Sequence, residues 1–333
     1  MIFFALTHAL KKANEMKGQI LNILRKEKTV ISGETLSDQL GVSRVSIWKH
    51  IKKLRGLGYQ IDATPKGYQL IRSPDALYPW EFTGRRSTVH FFDEIPSTMD
   101  TARDLARKNC PNFTVVIAGR QKAGRGRMKR VWLSSEGGLY FTIVLRPHMP
   151  PVLSYRINYA ASMVLAKTIR QMYKIDAVVK WPNDILVNGK KIAGLLSEME
   201  AESDRITYLN VGLGINVNND PTISEPGASS LKNILGKEIS RKQLLSEFLD
   251  RYERRLTGRS LDGVVSEWKT YAATLNRRVK VVTNHEVSEG LAMDVDENGA
   301  LILALEDGTI KKIVYGDCFH YLVPGIVFTN CKF

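Results

Sequence analysis

The spacing of the apolar residues changes character twice along the chain, and each change restricts the fold of the segment it bounds. Residues 17–72 place apolar side chains at helical spacing and then finish in a short hairpin. Ile20, Leu21, Ile23 and Leu24 stripe a first helix. Ser32 stands where it can cap a second, running to Leu40, and Gly41 supplies a left-handed turn position. Ser43 can cap a third helix that carries Ile47, Ile51 and Leu54 on one side. Two short strands then fall within Tyr59–Leu70, around the turn Thr64-Pro65-Lys66-Gly67. That order describes a winged helix-turn-helix, and Ser73-Pro74-Asp75 reads as a linker.

From about Val89 strands alternate with helices. Strands are expected at 89–92, 114–118, 139–145, 178–181, 192–199 and 206–217, and helices at 97–109, 154–173, 240–257 and 261–272. The strands at 192–199 and 206–217 should be neighbours, which makes the sheet mixed and the layer α+β rather than doubly wound. Residues 276–325 hold only short strands, joined at Asn298-Gly299 and Asp307-Gly308, both strong hairpin signals. A small closed barrel protects such strand edges. The expected organisation is an N-terminal extension at 1–16, a winged helix at 17–73, a central domain at 85–274 and a small barrel at 276–325. The opening Met1–Leu6 run is too short for a signal core, and its positive charges follow rather than precede it.

Charge points to polyanions. The chain carries +14, and residues 1–75 hold 13 Lys/Arg against 6 Asp/Glu, so half the excess sits in less than a quarter of the length. On the third helix Arg44, Ser46, Lys49, Lys52 and Lys53 lie off the apolar stripe, and Lys66 stands at the wing tip. Such side chains pair with phosphates and base edges, so this segment is expected to bind DNA. The cysteines, Cys110, Cys318 and Cys331, are odd in number and far apart, which suits a reducing cytosol rather than a disulfide scaffold. The six histidines form no ligand-spaced cluster, so no dedicated protein metal site is expected. No apolar run approaches the ~20 residues of a membrane span.

Chemistry concentrates in three stretches. Arg120–Arg130 holds six positive charges, no negative ones and two glycines. Such a loop repels itself, should move when empty and should order around an anion. Lys180-Trp181-Pro182-Asn183-Asp184 sets a lysine, an amide and a carboxylate at a strand end, with Lys191-Ile192-Ala193-Gly194 starting the next strand. Val211-Gly212-Leu213-Gly214-Ile215-Asn216 puts two glycines inside a strand, which weakens it unless something packs closely there. Trp181 reads as packing. Trp132 reads as either a core aromatic or a ring that stacks on a base.

Ser97-Thr98, Gln121, Gly-Arg-Gly-Arg at 124–127, Lys-Trp-Pro-Asn-Asp at 180–184, Lys191 with Ala193-Gly194, and Gly-Leu-Gly-Ile-Asn at 212–216 together resemble the biotin protein ligases. The winged helix makes the chain similar to the bifunctional ligase/biotin-operon repressor subclass, over about residues 17–325. The resemblance implies a central domain of the class II aminoacyl-tRNA synthetase/biotin ligase type and an SH3-like C-terminal barrel. It implies that biotin and ATP, the latter with Mg²⁺, form biotinyl-5′-AMP, which a lysine of a biotin carboxyl carrier protein, an acetyl-CoA carboxylase subunit, then attacks. On this resemblance biotin is met by Ser97, Thr98, Met99, Gln121, Arg125, Gly126, Arg127, Lys191, Gly194 and Gly212. The nucleotide is met by Arg130, Trp132, Lys180, Asn183, Gly214 and Asn216, and catalysis falls to Lys191, Arg125, Arg127 and Asp184. Met99 departs from the pattern, which often has Asn there, and its side chain donates no hydrogen bond. The implied partners are the carrier protein, operator DNA and a second copy of the chain in a homodimer, in the cytoplasm. Two alternatives remain open at this point: a lipoate–protein ligase-like enzyme, and a non-catalytic biotin-sensing transcription factor.

Overall fold

Helix α1 (Ile2–Glu27) begins where an extension was expected, and the Ile20–Leu24 stripe is its C-terminal part. The computed structural model describes residues 2–82, 84–85, 88–258 and 260–321. Met1, Cys331 and positions 322–325 of the expected barrel lie outside the described residues. The chain divides into two units, residues 1–91 with 240–243, and the remainder.

In the first unit α2 (Gly33–Leu40) starts where Ser32 Oγ accepts from the Thr35 N–H and ends at Gly41, whose φ is 62°. Helix α3 (Arg44–Gly56) starts where Ser43 Oγ accepts from the Ser46 N–H. Strands β1 (Gln60–Thr64) and β2 (Gly67–Arg72) form the antiparallel wing. Ile20, Leu24, Leu36, Ile47, Ile51, Leu54 and Tyr59 share one buried core. The chain beyond the expected linker joins that core, because Trp80 is buried in it and its indole N–H donates to Tyr59 Oη at 2.8 Å. Asp75, read as linker, instead caps a later helix. Its carboxylate accepts from the backbone N–H groups of Arg241 (3.0 Å) and Lys242 (3.1 Å), where a carboxylate meets the positive end of the helix dipole.

The central sheet runs β3 (Val89–Ile95), β4 (Thr114–Gln121), β5 (Leu139–Leu145), β9, β8, β7, β6 in space. The last four, in chain order, are β6 (Ala177–Lys180), β7 (Asp184–Val187), β8 (Lys190–Glu202) and β9 (Arg205–Ile215). Strand β7 was not anticipated, because four residues between turns carry too little periodicity. Strands β8 and β9 are neighbours, as expected. Ladders from β4 to β6 are antiparallel, with single parallel bridges at Val179–Ala272 and Lys191–Ala228. Helix α4 (Thr98–Arg107) packs on β5 and β9, and α5 (Tyr155–Tyr173) on β6. Helices α6 (Leu231–Leu235), α7 (Arg241–Gly258) and α8 (Val264–Lys269) complete the layer. Phe248 of α7 meets Phe141 of the sheet edge-on, with ring centroids 5.7 Å apart.

Strands β10 (Arg277–Val282), β11 (Val287–Val295), β12 (Leu301–Leu305), β13 (Ile310–Ile313) and β14 (Asp317–His320) form a five-stranded antiparallel sheet in the order β13-β12-β11-β10-β14. Gly299 and Gly308, both at φ 81°, sit in its hairpin turns.

Candidate active site and nucleic-acid interface

A cavity of about 730 Å³ opens in the second unit. Gly194 and Gly214 pair across β8 and β9 on its wall. Both turn their missing side chains toward the Trp132 indole: a Cβ on Gly214 would lie 2.3 Å from Trp132 Cε2, and one on Gly194 would lie 2.8 Å from Cζ3. Gly212 faces Met99 in the same way, with Sδ 2.6 Å from where a Cβ would stand. The close approach expected at these strand glycines is thus made by two side chains of the chain itself.

A polar net closes one end. The Thr98 N–H and Oγ1–H both donate to Gln121 Oε1, at 2.8 and 3.0 Å. Gln121 Nε2 donates to Ser134 Oγ at 2.9 Å, and Thr142 Oγ1 donates to Thr98 Oγ1 at 2.9 Å. Ser97, assigned above to a ligand, caps α4 here, its Oγ accepting from the Met99 N–H. Lys191 Nζ lies 2.8 Å from Asp184 Oδ1 and 5.3 Å from the centre of the Trp132 ring. Asn183 is pinned by donating to the Leu195 carbonyl. Asn216 is buried, its Oδ1 accepting from Asn219. Trp181 is buried and donates to the Gly299 carbonyl at 3.1 Å, a packing role as expected.

The basic loop folds back on itself, with the Gly126 N–H donating to Arg130 O and the Trp132 N–H to Gly124 O. Carboxylates answer much of the self-repulsion expected of it. Arg125 donates to both oxygens of Asp100 at 2.9 Å and reaches Glu198 at 3.4 Å. Arg120 pairs with Glu136, Lys122 with Glu94 and Arg130 with Asp317. Arg127 donates to Asn183 Oδ1 and to the Gly316 carbonyl; burial holds its pKa below the usual arginine value, against the pull of Asp317 and Asp184.

Every residue that the sequence assigned to biotin, nucleotide or catalysis lines this one cavity, Met99, Gly126 and Lys180 included. Sequence reasoning missed Asp317, Cys318 and Phe319 of β14, and the segment from Asn219 to Ala228. Phe319 has the cations of Arg130 and Lys180 each 5.9 Å from its ring centre. Burial raises the Cys318 thiol to about 12. Burial, with Lys180 and Arg277 nearby, lowers His320 to about 4. No short-range signal marks the β14 residues, because that strand lies more than a hundred positions from the motifs.

In the first unit Arg44, Lys49, Lys52 and Lys53 are exposed on α3, and Lys66 is exposed at the wing turn. Ser46 is half-buried. Val45 and Trp48 are also exposed beside them, and the sequence reading had not singled them out.

A winged helix joined to a sheet domain with a cation-lined cavity, and to a small strand domain, is the layout of a DNA-binding acyl ligase. Residues 17–69 match the HTH domain, 91–216 the Biotin/lipoate A/B protein ligase family and 274–321 the Biotin protein ligase C terminal domain. The chain is 37% identical to the bifunctional ligase/repressor BirA of Bacillus subtilis over 302 residues, covering 86% of this chain and 93% of that one. It is 30% identical to the bifunctional ligase/repressor BirA of Escherichia coli, covering 86% and 91%. Among solved structures it is similar to the biotin protein ligase from Aquifex aeolicus in complex with biotin and ATP, with a TM-score of 0.59 at 29% identity, covering 70% of this chain and 98% of that one. The chain belongs to the bifunctional biotin ligase/repressor family.

Proposed function

We propose that this chain joins biotin to ATP, passes the biotinyl group to a lysine of a biotin carboxyl carrier protein, and represses biotin genes by binding operator DNA. The carboxylate oxygen of biotin attacks the α-phosphorus and pyrophosphate leaves. The acceptor amine then attacks the acyl carbon and AMP leaves. Biotin sits against Ser97, Thr98, Met99, Gln121 and Gly212, with Arg125, Gly126 and Arg127 closing over it. The nucleotide, brought as its Mg²⁺ complex, meets Arg130, Trp132, Lys180, Asn183, Gly214 and Asn216.

The observation that carries this reading is the Lys191–Asp184 pair beside the Trp132 ring and Gly194. Lys191 supplies positive charge to the reacting carboxylate and α-phosphate, where electrostatic stabilisation counts most. Asp184, 2.8 Å away, holds that ammonium in place. Once Lys191 turns to the phosphate, the Asp184 carboxylate orients or deprotonates the incoming lysine. Lys191→Ala should lower pyrophosphate release with biotin and ATP by roughly 10²-fold, the cost of about 3 kcal/mol of lost charge stabilisation. Release near the wild-type rate would refute the assignment.

Two copies of the winged helix, held in a homodimer in the cytoplasm, read a two-fold operator. Among the described residues no helix is long and apolar enough to cross a membrane. Arg44, Ser46, Lys49, Lys52, Lys53 and Lys66 are the DNA contacts, within a winged-helix domain at 17–73 that precedes a ligase domain at 85–274 and a C-terminal domain from 276. Operator affinity should fall steeply with salt as phosphates release counterions.

A further inference from the structure

The exposed side of α3 is not uniformly basic. Val45 is 61% exposed and Trp48 51% exposed, one helical turn apart. The buried side of the helix is made by Ile47, Ile51 and Leu54, so Val45 and Trp48 take no part in the core. Exposed Arg44, Lys49 and Lys52 surround them, and Lys52 Nζ lies 5.3 Å from the centre of the Trp48 ring. The lysines fit a polyanion, yet they are flexible point charges that suit phosphates whatever the sequence. A valine offers nothing to a phosphate. In the major groove the one base-edge feature that an apolar side chain can select is the C5-methyl group of thymine.

We propose that Val45 and Trp48 form an apolar patch that reads thymine methyl groups in the major groove, while Arg44, Lys49 and Lys52 hold the flanking phosphates. This rests on the DNA-binding reading above and adds which bases the protein selects. Val45 lies in the first turn of α3, the end of a recognition helix that meets base edges. Trp48, one turn on, covers the neighbouring methyl with its ring, held beside the Lys52 ammonium. Closing this patch over a methyl removes apolar surface from water on both partners.

The test uses the full-length protein with biotin and ATP, and a duplex that it selects from a randomised pool. Each dT of that duplex is replaced singly by dU, which removes only the methyl. Wild-type affinity should fall roughly three- to fivefold at one or two positions in each half-site, the equivalent of burying one methyl. Val45→Ala and Trp48→Ala should each lose the preference for dT over dU at the position that its own side chain reads, with an unchanged slope of affinity against salt, since the phosphate contacts remain. Circular dichroism and the thermal midpoint check that both variants fold, as exposed positions should. The proposal is overturned if no dT-to-dU change weakens the wild type, or if both variants keep the full thymine preference. Selection of no duplex at all would overturn the DNA-binding reading itself.

Discussion

Gly214→Ala tests the site with a single carbon. Gly214 does not occupy the left-handed region, so alanine can adopt its backbone, and β9 should keep its register between β5 and β8. The new methyl would stand 2.3 Å from Trp132 Cε2, 2.4 Å from Nε1 and 2.8 Å from Cζ2. Ordinary carbon contacts begin near 3.5 Å, so the ring must retreat by about 1 Å or more. A central strand paired on both sides moves less readily than a loop side chain, so Trp132 yields. Overpacking of this kind costs about 1–3 kcal/mol, and misplacement by about 1 Å can lower a rate by as much as 10²-fold. The value of kcat/KM for ATP should therefore fall roughly five- to a hundredfold, and the thermal midpoint should fall by about 2–4 °C for each kcal/mol of overpacking. The chain has five tryptophans, so the Trp132 emission is isolated by subtracting the spectrum of Trp132→Phe. In the alanine variant that component should shift to the red as the indole leaves its seat. Unchanged emission together with unchanged pyrophosphate kinetics would refute the claim that these glycines exist to seat Trp132.

Three further outcomes follow from other places in the fold. Among the described residues both amide atoms of Asn210, buried on β9, lack a hydrogen-bond partner, so Asn210→Leu should stabilise the protein by about 1–3 kcal/mol in thermal melts, and a lower midpoint would contradict this. The Glu81 side chain is fully buried against Arg25 (2.7 Å), Tyr59 (2.5 Å) and Lys242 (2.8 Å), so Glu81→Gln should destabilise the winged-helix unit by about 3–5 kcal/mol, measured by denaturant unfolding. Burial alone would raise that carboxyl, but hydrogen bonds from Lys242, Tyr59 and Arg25 hold it below its ordinary 4.5. Its contribution is thus present above about pH 4.5 and is lost as pH falls through the lower folded value; equal acid sensitivity in wild type and Glu81→Gln would count against it. Asp100→Asn should loosen Arg125, which keeps Glu198 at 3.4 Å, and speed proteolysis between Arg125 and Met128 in the absence of ligand, with biotin plus ATP restoring protection; cutting at wild-type rates would show that Asp100 does not hold the loop.

What the sequence by itself determined is what depends on near neighbours along the chain. Ser32 and Ser43 cap their helices because a serine hydroxyl reaches an N–H three residues on, and Gly41, Gly299 and Gly308 turn because only glycine takes those angles freely. The motif residues were legible because Lys191, Asn183 and the Gly-Arg-Gly-Arg loop each stand in short recognisable strings, and the structure gathers them into one cavity. What only the tertiary structure decided is what comes from distant partners. Asp75, an unremarkable linker residue in the sequence, caps a helix some 165 positions later. Asp317 and Phe319 reach the cavity only because β14 adds to the edge of β10 and carries them there. The glycines at 212 and 214 signalled a close approach without saying by what, and the answers, Met99 and Trp132, come from a helix and a loop elsewhere in the chain. Local hydrogen bonds and backbone angles are set by a few adjacent residues, whereas packing partners and ion pairs are chosen by the whole fold, so no short window of sequence contains them.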